Sequence, residues 1–362
     1  MSNPYNCAAF KALLRKNEKI NLLLLDIDSF SNINDSYGIE CGDFVFKKVE
    51  EVLRNFRFES IAIYKLESDE FALVSENILE TDSIIEMANQ ISSFFNESTI
   101  ELDEDLSITI SFSMGIAYAK GLSVLNQARL AIKDLRQYTR GTYKVYDTES
   151  SYVKAINENV YWVNQIQKSI SEDMIIAFYQ PILNNKTKKI EKYECLARID
   201  DDDNFVSPYH FMEAAKSTRL LSFITKSMIK QACKTFRGTE YEFSINITND
   251  DLQLAYLEEY LLRNAKLYNI NPNRIILELL EDISSLDIGT TLKQVDSLKA
   301  KGFRFAIDDF GSESSNFSRL LEFQPHYLKI DGAFIKNILT DEKSQIITSG
   351  IVSIAHAMGI KV

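Results

Sequence analysis

A chain of 362 residues in which 45% of side chains are hydrophobic is long enough for two domains of ordinary size, each with its own core. A formal net charge of −12 excludes DNA or RNA polymers as bulk partners, while a small anionic ligand stays compatible with a locally cationic pocket. Four cysteines, Cys7, Cys41, Cys195 and Cys233, have no metal-type spacing and read as free thiols of a reducing cytoplasm; the apolar run 22–25 is far too short to cross a membrane, and no signal peptide precedes it.

In chain order, Asn6-Cys7-Ala8-Ala9-Phe10 is followed by a buried strand run over 21–26 that ends on Asp26. A stretch from Asp28 to Asp35 carries Asn34; Tyr37-Gly38, Gly42-Asp43 and the segment Tyr64-Lys65-Leu66-Glu67-Ser68-Asp69-Glu70-Phe71 come next. Between 147 and 171 breakers are few, and Val153, Ile156, Val160, Val163, Ile166 and Ile170 recur at helical intervals, which predicts a continuous linking helix. Such a helix is a rigid spacer with one packed face, or it transmits displacement between domains. The lone tryptophan, Trp162, reads as its packing anchor.

In the second half, short β-branched or aliphatic runs end in acids or amides. Residues 192–198 contain Glu194, 243–246 end on Asn246, 274–278 end on Glu278 with Glu281 following, and 327–331 carry Lys329 and Asp331. The intervening segments 208–223, 252–268 and 289–301 have helical periodicity. Strand and helix in alternation predict a parallel α/β fold, and five such units point to a barrel whose C-terminal strand ends share one face. An asparagine, several carboxylates and a lysine on that face make a hard-cation site suited to phosphate chemistry. The most informative run is 303–311, an apolar strand that ends on Asp308, Asp309 and Gly311. Because residues alternate sides along a strand, both acids cannot face solvent, and whichever turns inward needs compensation. A divalent cation supplies it; alternatively, one acid caps the next helix and the other pairs with a lysine.

On Phe178-Tyr179-Gln180-Pro181-Ile182, Glu194-Cys195-Leu196-Ala197-Arg198, Asn246, Glu278-Leu279-Leu280-Glu281, Asp308-Asp309-Phe310-Gly311 and Lys329-Ile330-Asp331, present in that order, the second half resembles an EAL domain, the cyclic di-GMP phosphodiesterase. The resemblance runs from about residue 161 to the last residue and implies a (β/α)8 TIM-type barrel. It implies that Glu194, Asn246, Glu278 and Asp308 are metal ligands and that Asp309 serves a second metal, a two-metal Mg²⁺ or Mn²⁺ site that activates water. Lys329 then orients that water, Glu281 holds the site's geometry, and Gln180, Leu196 and Arg198 contact the dinucleotide. The implied reaction is in-line hydrolysis of one phosphodiester bond of cyclic di-GMP to linear pGpG, by a homodimer. His210, His326 and His356 lie outside the matched motifs.

Departures qualify the resemblance. Cys195 replaces an alanine with little expected effect, and Ser312-Glu313-Ser314-Ser315-Asn316-Phe317 replaces a Thr-Gly-Tyr-Ser-Ser-Leu loop that couples dimer contacts to the metals. At 354–362 the chain stops before a further essential glutamate and an eighth strand. The chain therefore reads as a fragment whose barrel is incomplete at its C-terminus and whose own turnover is little or none, with a sensor module or membrane anchor in the parent protein left open.

The first half resembles a degenerate GGDEF domain, the α+β diguanylate cyclase module. Asp26 matches its first metal aspartate, Asn34 and Asp43 its guanine-reading pair, and Asp69 and Glu70 the acids of its signature loop. Glu67 and Ser68 stand where two glycines let backbone approach the nucleotide, and the Arg-x-x-Asp of the inhibitory site is missing at 58–61. The resemblance implies no cyclase activity and leaves GTP binding without turnover open. The expected organisation is a degenerate GGDEF domain over 1–147, a helical linker over 148–171 and an EAL domain over 172–362. A non-catalytic cyclic di-GMP receptor or protein-interaction module is the alternative to a phosphodiesterase.

Overall fold

In the computed structural model, which describes residues 7–56, 58, 60–66, 69–75, 79–102, 107–202, 204–254, 256–280, 288–311 and 317–362, the apolar run at 22–25 is the middle of a sheet covered on both faces. The chain divides into two units, Met1–Asn157 and Glu158–Val362. In the first, α1 (Cys7–Arg15), β1 (Lys19–Ile27), α2 (Phe30–Tyr37), α3 (Ile39–Asn55), β2 (Ala62–Lys65) and β3 (Glu70–Ser75) come in order. They are followed by α4 (Thr81–Glu97), β4 (Thr99–Glu101), β5 (Ser107–Thr109), β6 (Phe112–Lys120), α5 (Leu122–Leu135) and β7 (Tyr143–Val145).

The sheet order is β2-β3-β1-β6-β7, with β1 antiparallel to both neighbours, and β4 and β5 pair separately. Period-two alternation sorts the leucines of β1. Leu23, Leu25 and Ile27 pack with Val45, Phe46 and Val49 of α3 and Ile84, Ala88 and Ile91 of α4; Ile20, Leu22 and Leu24 pack with Phe10 of α1 and Val124, Ala128 and Ile132 of α5. Helix α5 lies so close to β6 that a Cβ on Gly115 would stand 2.0 Å from the Ala128 carbonyl oxygen.

Helix α6 (Ser151–Ser171) contains the division between units, and Trp162, Val163, Ile166 and Ile170 pack into the core of the second one. There follow β8 (Ile175–Leu183), β9 (Ile190–Asp201), β10 (Asn204–Val206), α7 (Pro208–Ser217), α8 (Leu221–Thr235), β11 (Glu242–Ile247) and α9 (Asn249–Gln253). Then come α10 (Tyr256–Tyr268), β12 (Ile275–Leu280), α11 (Ile288–Ala300), β13 (Arg304–Phe310), α12 (Ser318–Phe323), β14 (Tyr327–Ile330), α13 (Gly332–Lys336) and α14 (Glu342–Ala357).

Strands β9, β11, β12, β13 and β14 run parallel in that order, and a single parallel bridge joins Tyr327 to Lys361. Alternation again does the sorting. Phe243, Ile245, Ile275, Leu277, Phe303, Phe305 and Ile307 point into the core shared with α8, α10 and α11. The positions between them face the other way, where Ile276, Ala306 and Tyr327 form a small buried layer. Above that layer, toward the C-terminal strand ends, the same inward positions carry Glu194, Glu278, Asp308 and Lys329.

Strand β8 is antiparallel to β9, to which a short turn joins it. Two expectations need correction. The helix expected over 208–223 is two helices, broken where Arg219 takes a left-handed φ of 58° that no helix continues through. The helix expected over 252–268 is likewise split into α9 and α10, because Leu254 takes extended backbone (φ −82°, ψ 126°) and ends the first helix after five residues.

Two measurements check this packing. Gly115→Ala must push α5 off β6 and is expected to destabilise the first unit by about 2–3 kcal/mol, read by chemical denaturation. In the second unit His326 Nδ1 accepts the Phe305 N–H at 3.2 Å, and burial, with Lys299, Arg304 and Lys361 nearby, lowers its pKa below 6.5. The unfolded chain then binds the extra proton first, so this contribution is intact above pH 6.5 and is lost as pH falls through 6.5 toward the lowered folded value. His326→Asn keeps an acceptor without titrating, and its melting temperature is expected to fall less between pH 7 and pH 5 than that of the parent chain.

Candidate functional site

Lys329 sits in the middle of an acidic cluster. Its Nζ lies 3.1 Å from Glu194 Oε2, 2.8 Å from Glu278 Oε2 and 2.8 Å from Asp308 Oδ2. One ligand oxygen from each carboxylate lies within 4.8 Å of the others. Strand register explains the convergence. Glu194 on β9 is level with Ser244 on β11, Asn246 is level with Glu278 on β12, and Glu278 is level with Ala306, two residues before Asp308 on β13. Asn246 completes the group, with Nδ2 3.5 Å from Glu194 Oε1.

The electrostatics follow from burial. Glu278 is 3% exposed, and burial pushes its carboxyl up to about 7, against the lowering pull of Lys329. Burial by itself favours the neutral amine of Lys329, but Glu278 and Asp308 outweigh it and hold the lysine protonated well above the ordinary range. We take the ammonium as charged, because its three short contacts are all to carboxylates. With all three carboxylates ionised against one ammonium the cluster carries −2, which a divalent cation cancels, and such an ion would also draw off the Glu278 proton. The donors are hard oxygens of the kind that suit Mg²⁺ or Mn²⁺. Directly beside them Ser244 is buried on the same face, level with Glu194 and next to the Glu278 carboxylate. The residues present therefore fit such an ion.

The remaining expected positions divide. Gln180 pairs in register with Glu194, and Leu196 and Arg198 follow Glu194 at two-residue steps, so all three share its face of the hairpin. Arg198 is braced there by a 5.4 Å contact with the Phe178 ring and donates to the Ala197 carbonyl at 2.7 Å. Cys195 points the opposite way into the helix-facing core, where burial raises its thiol pKa far above the ordinary value. Asp309 stands outside the three-carboxylate group. It is exposed, its backbone has φ 53°, and its N–H donates to Asp308 Oδ1 at 2.9 Å. Partial burial and the neighbouring Asp308 and Asp331 raise its pKa. Of the two outcomes left open for the paired acids, Asp308 does pair with a lysine, within a larger cluster. Glu281 and residues 312–316 lie outside the described residues, as do Glu67 and Ser68. A cavity of about 260 Å³ beside α9, lined by Arg219, Ser222, Asp250 and Gln253 among others, includes none of the cluster residues.

In the first unit the candidate acids already have cationic partners. Arg136, just past α5, reaches Asp26 at 2.5 and 3.2 Å and Asp28 at 3.1 Å, while Arg129 on α5 makes a two-pronged contact to Glu70 at 2.5 and 3.0 Å. Asp28 is satisfied further by Ser111, Ser113 and the Gly141 N–H. Burial raises the Asp26 pKa despite Arg136, and Asp69 is raised by burial as well. Asn34, on α2, packs against Gly42, the residue before Asp43 on α3, and its side chain occupies the space a Cβ on Gly42 would need, 1.9 Å from Oδ1. Sequence reading missed Arg129, Arg136 and Asp28; the available signal was two arginines seven residues apart, on one stripe of a helical segment.

Comparison with known proteins agrees with this geometry. The EAL domain profile matches residues 163–362, and the profile described as "Diguanylate cyclase, GGDEF domain" matches residues 7–141. Signaling protein YkoW of Bacillus subtilis is 28% identical over 94% of this chain, and Cyclic di-GMP phosphodiesterase PdeB of Shewanella oneidensis is 24% identical over 93%. The chain spans 44% and 40% of the lengths of those two relatives. The Vibrio cholerae LapD S helix-GGDEF-EAL structure superposes with a TM-score of 0.50 at 18% identity, covering 98% of this chain and 86% of LapD, which is a likeness of fold. This chain, with a GGDEF unit ahead of a TIM-barrel-like unit, belongs to the EAL domain family.

Proposed function

We propose that the second unit hydrolyses one phosphodiester bond of cyclic di-GMP to give linear pGpG, and that the first is a cyclase-inactive regulatory unit. The observation that carries this reading is the convergence of Glu194, Glu278, Asp308, Asn246 and Lys329, from five parallel strands, on one strand-end face. The relationship to PdeB, named for that activity, supports the substrate class. A bound Mg²⁺ or Mn²⁺ supplies Lewis-acid activation of water and offsets phosphate charge. Glu194, Asn246, Glu278 and Asp308 would hold it, with Asp309 the candidate for a second ion.

The chain's own residues do the rest. Lys329 keeps the three carboxylates from repelling one another apart and places one fixed positive charge beside an incoming phosphodiester. Arg198, braced on Phe178, brings a second positive charge to the same face of the hairpin, and Gln180 and Leu196 offer a donor–acceptor pair and an apolar contact for a base. In the first unit, the pairing of Asp26 with Arg136 and of Glu70 with Arg129 supports the absence of cyclase turnover, because each guanidinium occupies the carboxylate oxygens that a nucleotide-bound cation would require.

The full-length natural protein that carries both units is expected to convert cyclic di-GMP to pGpG with Mg²⁺ or Mn²⁺, followed by anion-exchange chromatography. Intact cyclic di-GMP with a folded protein rejects the hydrolase reading in favour of a receptor. Glu194→Ala is expected to lower turnover by at least about 100-fold; unchanged activity rejects the metal assignment. For the first unit, GTP with Mg²⁺ is expected to yield no cyclic product, and a flat calorimetric titration with GTP removes a regulatory nucleotide.

A further inference from the structure

Asp251 is a fully buried carboxylate that forms no ion pair with a lysine, arginine or histidine among the described residues, and it takes four side-chain or backbone donors instead. Its Oδ2 accepts the Thr248 N–H, the Thr248 hydroxyl and the Thr225 hydroxyl, each at 2.9 Å, and Oδ1 accepts the Tyr256 hydroxyl. In return its own N–H donates to Thr248 Oγ1 at 3.1 Å. Burial and this carboxylate keep the Tyr256 phenol protonated, so it remains a donor. Burying an ionised carboxylate is costly unless its lone pairs are filled, and a five-residue helix needs no such device for its own sake, since an exposed cap serves.

What the carboxylate joins is more telling. Thr225 belongs to α8, Tyr256 to α10, and Thr248 is the first residue after β11, two positions beyond Asn246. The next residue is tied as well, because Asn249 Oδ1 accepts the hydroxyl of the buried Thr291 on α11 at 2.8 Å. The exit of β11 is thus pinned to three helices within three residues of the one amide in the cluster. Asn246 itself is exposed, and among the described residues its side chain makes only a 3.5 Å contact to Glu194, too long to fix where its oxygen points. Its orientation depends on the backbone that follows it.

We propose that Asp251 is a positioning residue for Asn246: through Thr248 it fixes the end of β11 and so aims the Asn246 amide at the ion shared by Glu194, Glu278 and Asp308. This rests on the metal-site reading above. Outer partners that orient a metal ligand characteristically carry about 10-fold or more of the metal affinity.

The test is Mn²⁺ binding to the full chain, read from the electron paramagnetic resonance signal of free Mn²⁺, with the melting temperature measured alongside. Asp251→Asn keeps the volume and one acceptor and is expected to weaken Mn²⁺ binding about 10-fold. Asn246→Ala is expected to weaken it similarly, and the double variant no further than Asn246→Ala alone, since the two act through one ligand. Lower melting temperature with unchanged Mn²⁺ affinity, or additive losses in the double variant, overturns the proposal and leaves Asp251 a structural cap. If Asp251→Asn does not fold, Tyr256→Phe removes one donor only and is expected to weaken Mn²⁺ binding about 3-fold; unchanged affinity in that folded variant overturns the proposal equally. A parent chain that binds no Mn²⁺ at all instead rejects the metal-site reading on which it rests.

Discussion

The contact of Lys329 with three carboxylates is the interaction on which the second unit's site depends. Glu194, Glu278 and Asp308 come from three different strands, and without a cation between them their mutual repulsion in a partly buried setting would work against the register that aligns those strands. Removing one partner of such a buried group typically costs about 3–5 kcal/mol, because the charge left behind is unpaired. The apolar layer of Ile276, Ala306 and Tyr327 below makes the demand sharper, since it closes the site to water from that side. Beneath it, Arg304 and Tyr327 both engage Glu242, and Lys192 lies 3.5 Å from the Tyr327 ring, so inward-facing charges there are also paired or stacked.

The two units solve the same problem with different cations. In the first, Arg129 and Arg136 satisfy Glu70, Asp26 and Asp28 with planar, two-pronged contacts that use most of the carboxylate lone pairs. In the second, a single ammonium touches one oxygen of each acid, while Glu194 Oε1 has a 3.5 Å contact from Asn246 and Asp308 Oδ1 takes one backbone N–H, so neither is gripped by a two-pronged cation. A guanidinium fork saturates a carboxylate; a lysine point charge does not. That difference favours the second unit over the first for the metal chemistry proposed above.

Much of this was legible in the sequence, because period-two alternation does not depend on tertiary detail. The strand runs, their acidic or amide ends and the order of strands and helices follow from which residues are apolar at which spacing, while the fold decides which of Asp308 and Asp309 turns inward. The break at Arg219 was not legible, since left-handed backbone at a non-glycine residue is rare and carries no compositional signal. Neither were the roles of Arg129, Arg136 and Asp251. Their partners lie 59 residues away for Arg129 with Glu70, 110 for Arg136 with Asp26 and 26 for Thr225 with Asp251, so the spacing of the two arginines marks a shared stripe and not the acids that it meets. Asp251 looked like one more polar residue ahead of a helix, yet it is fully buried.

The paired acids show how the strand end resolves a conflict that alternation alone creates. Strict pleating would turn Asp309 into the core occupied by Ile307 and Phe310, where an unpaired carboxyl costs several kcal/mol. The pairing of β13 with β14 instead shifts between Ile307 and Phe310, so three residues of β13 span what two cover on β14. Asp309 is the residue that takes up the slack, in a left-handed conformation that costs about 1 kcal/mol for a non-glycine side chain. The lesser strain prevails, and it leaves Asp308 facing Lys329 while Asp309 faces solvent at the same mouth. Gly311 then has to be a glycine: with φ 109°, and with Phe334 only 2.7 Å from where a Cβ would stand, no other residue lets the chain leave the bulge without displacing that ring. Two adjacent acids can therefore serve one site from one strand, one held inside by lysine and the other held outside by backbone geometry.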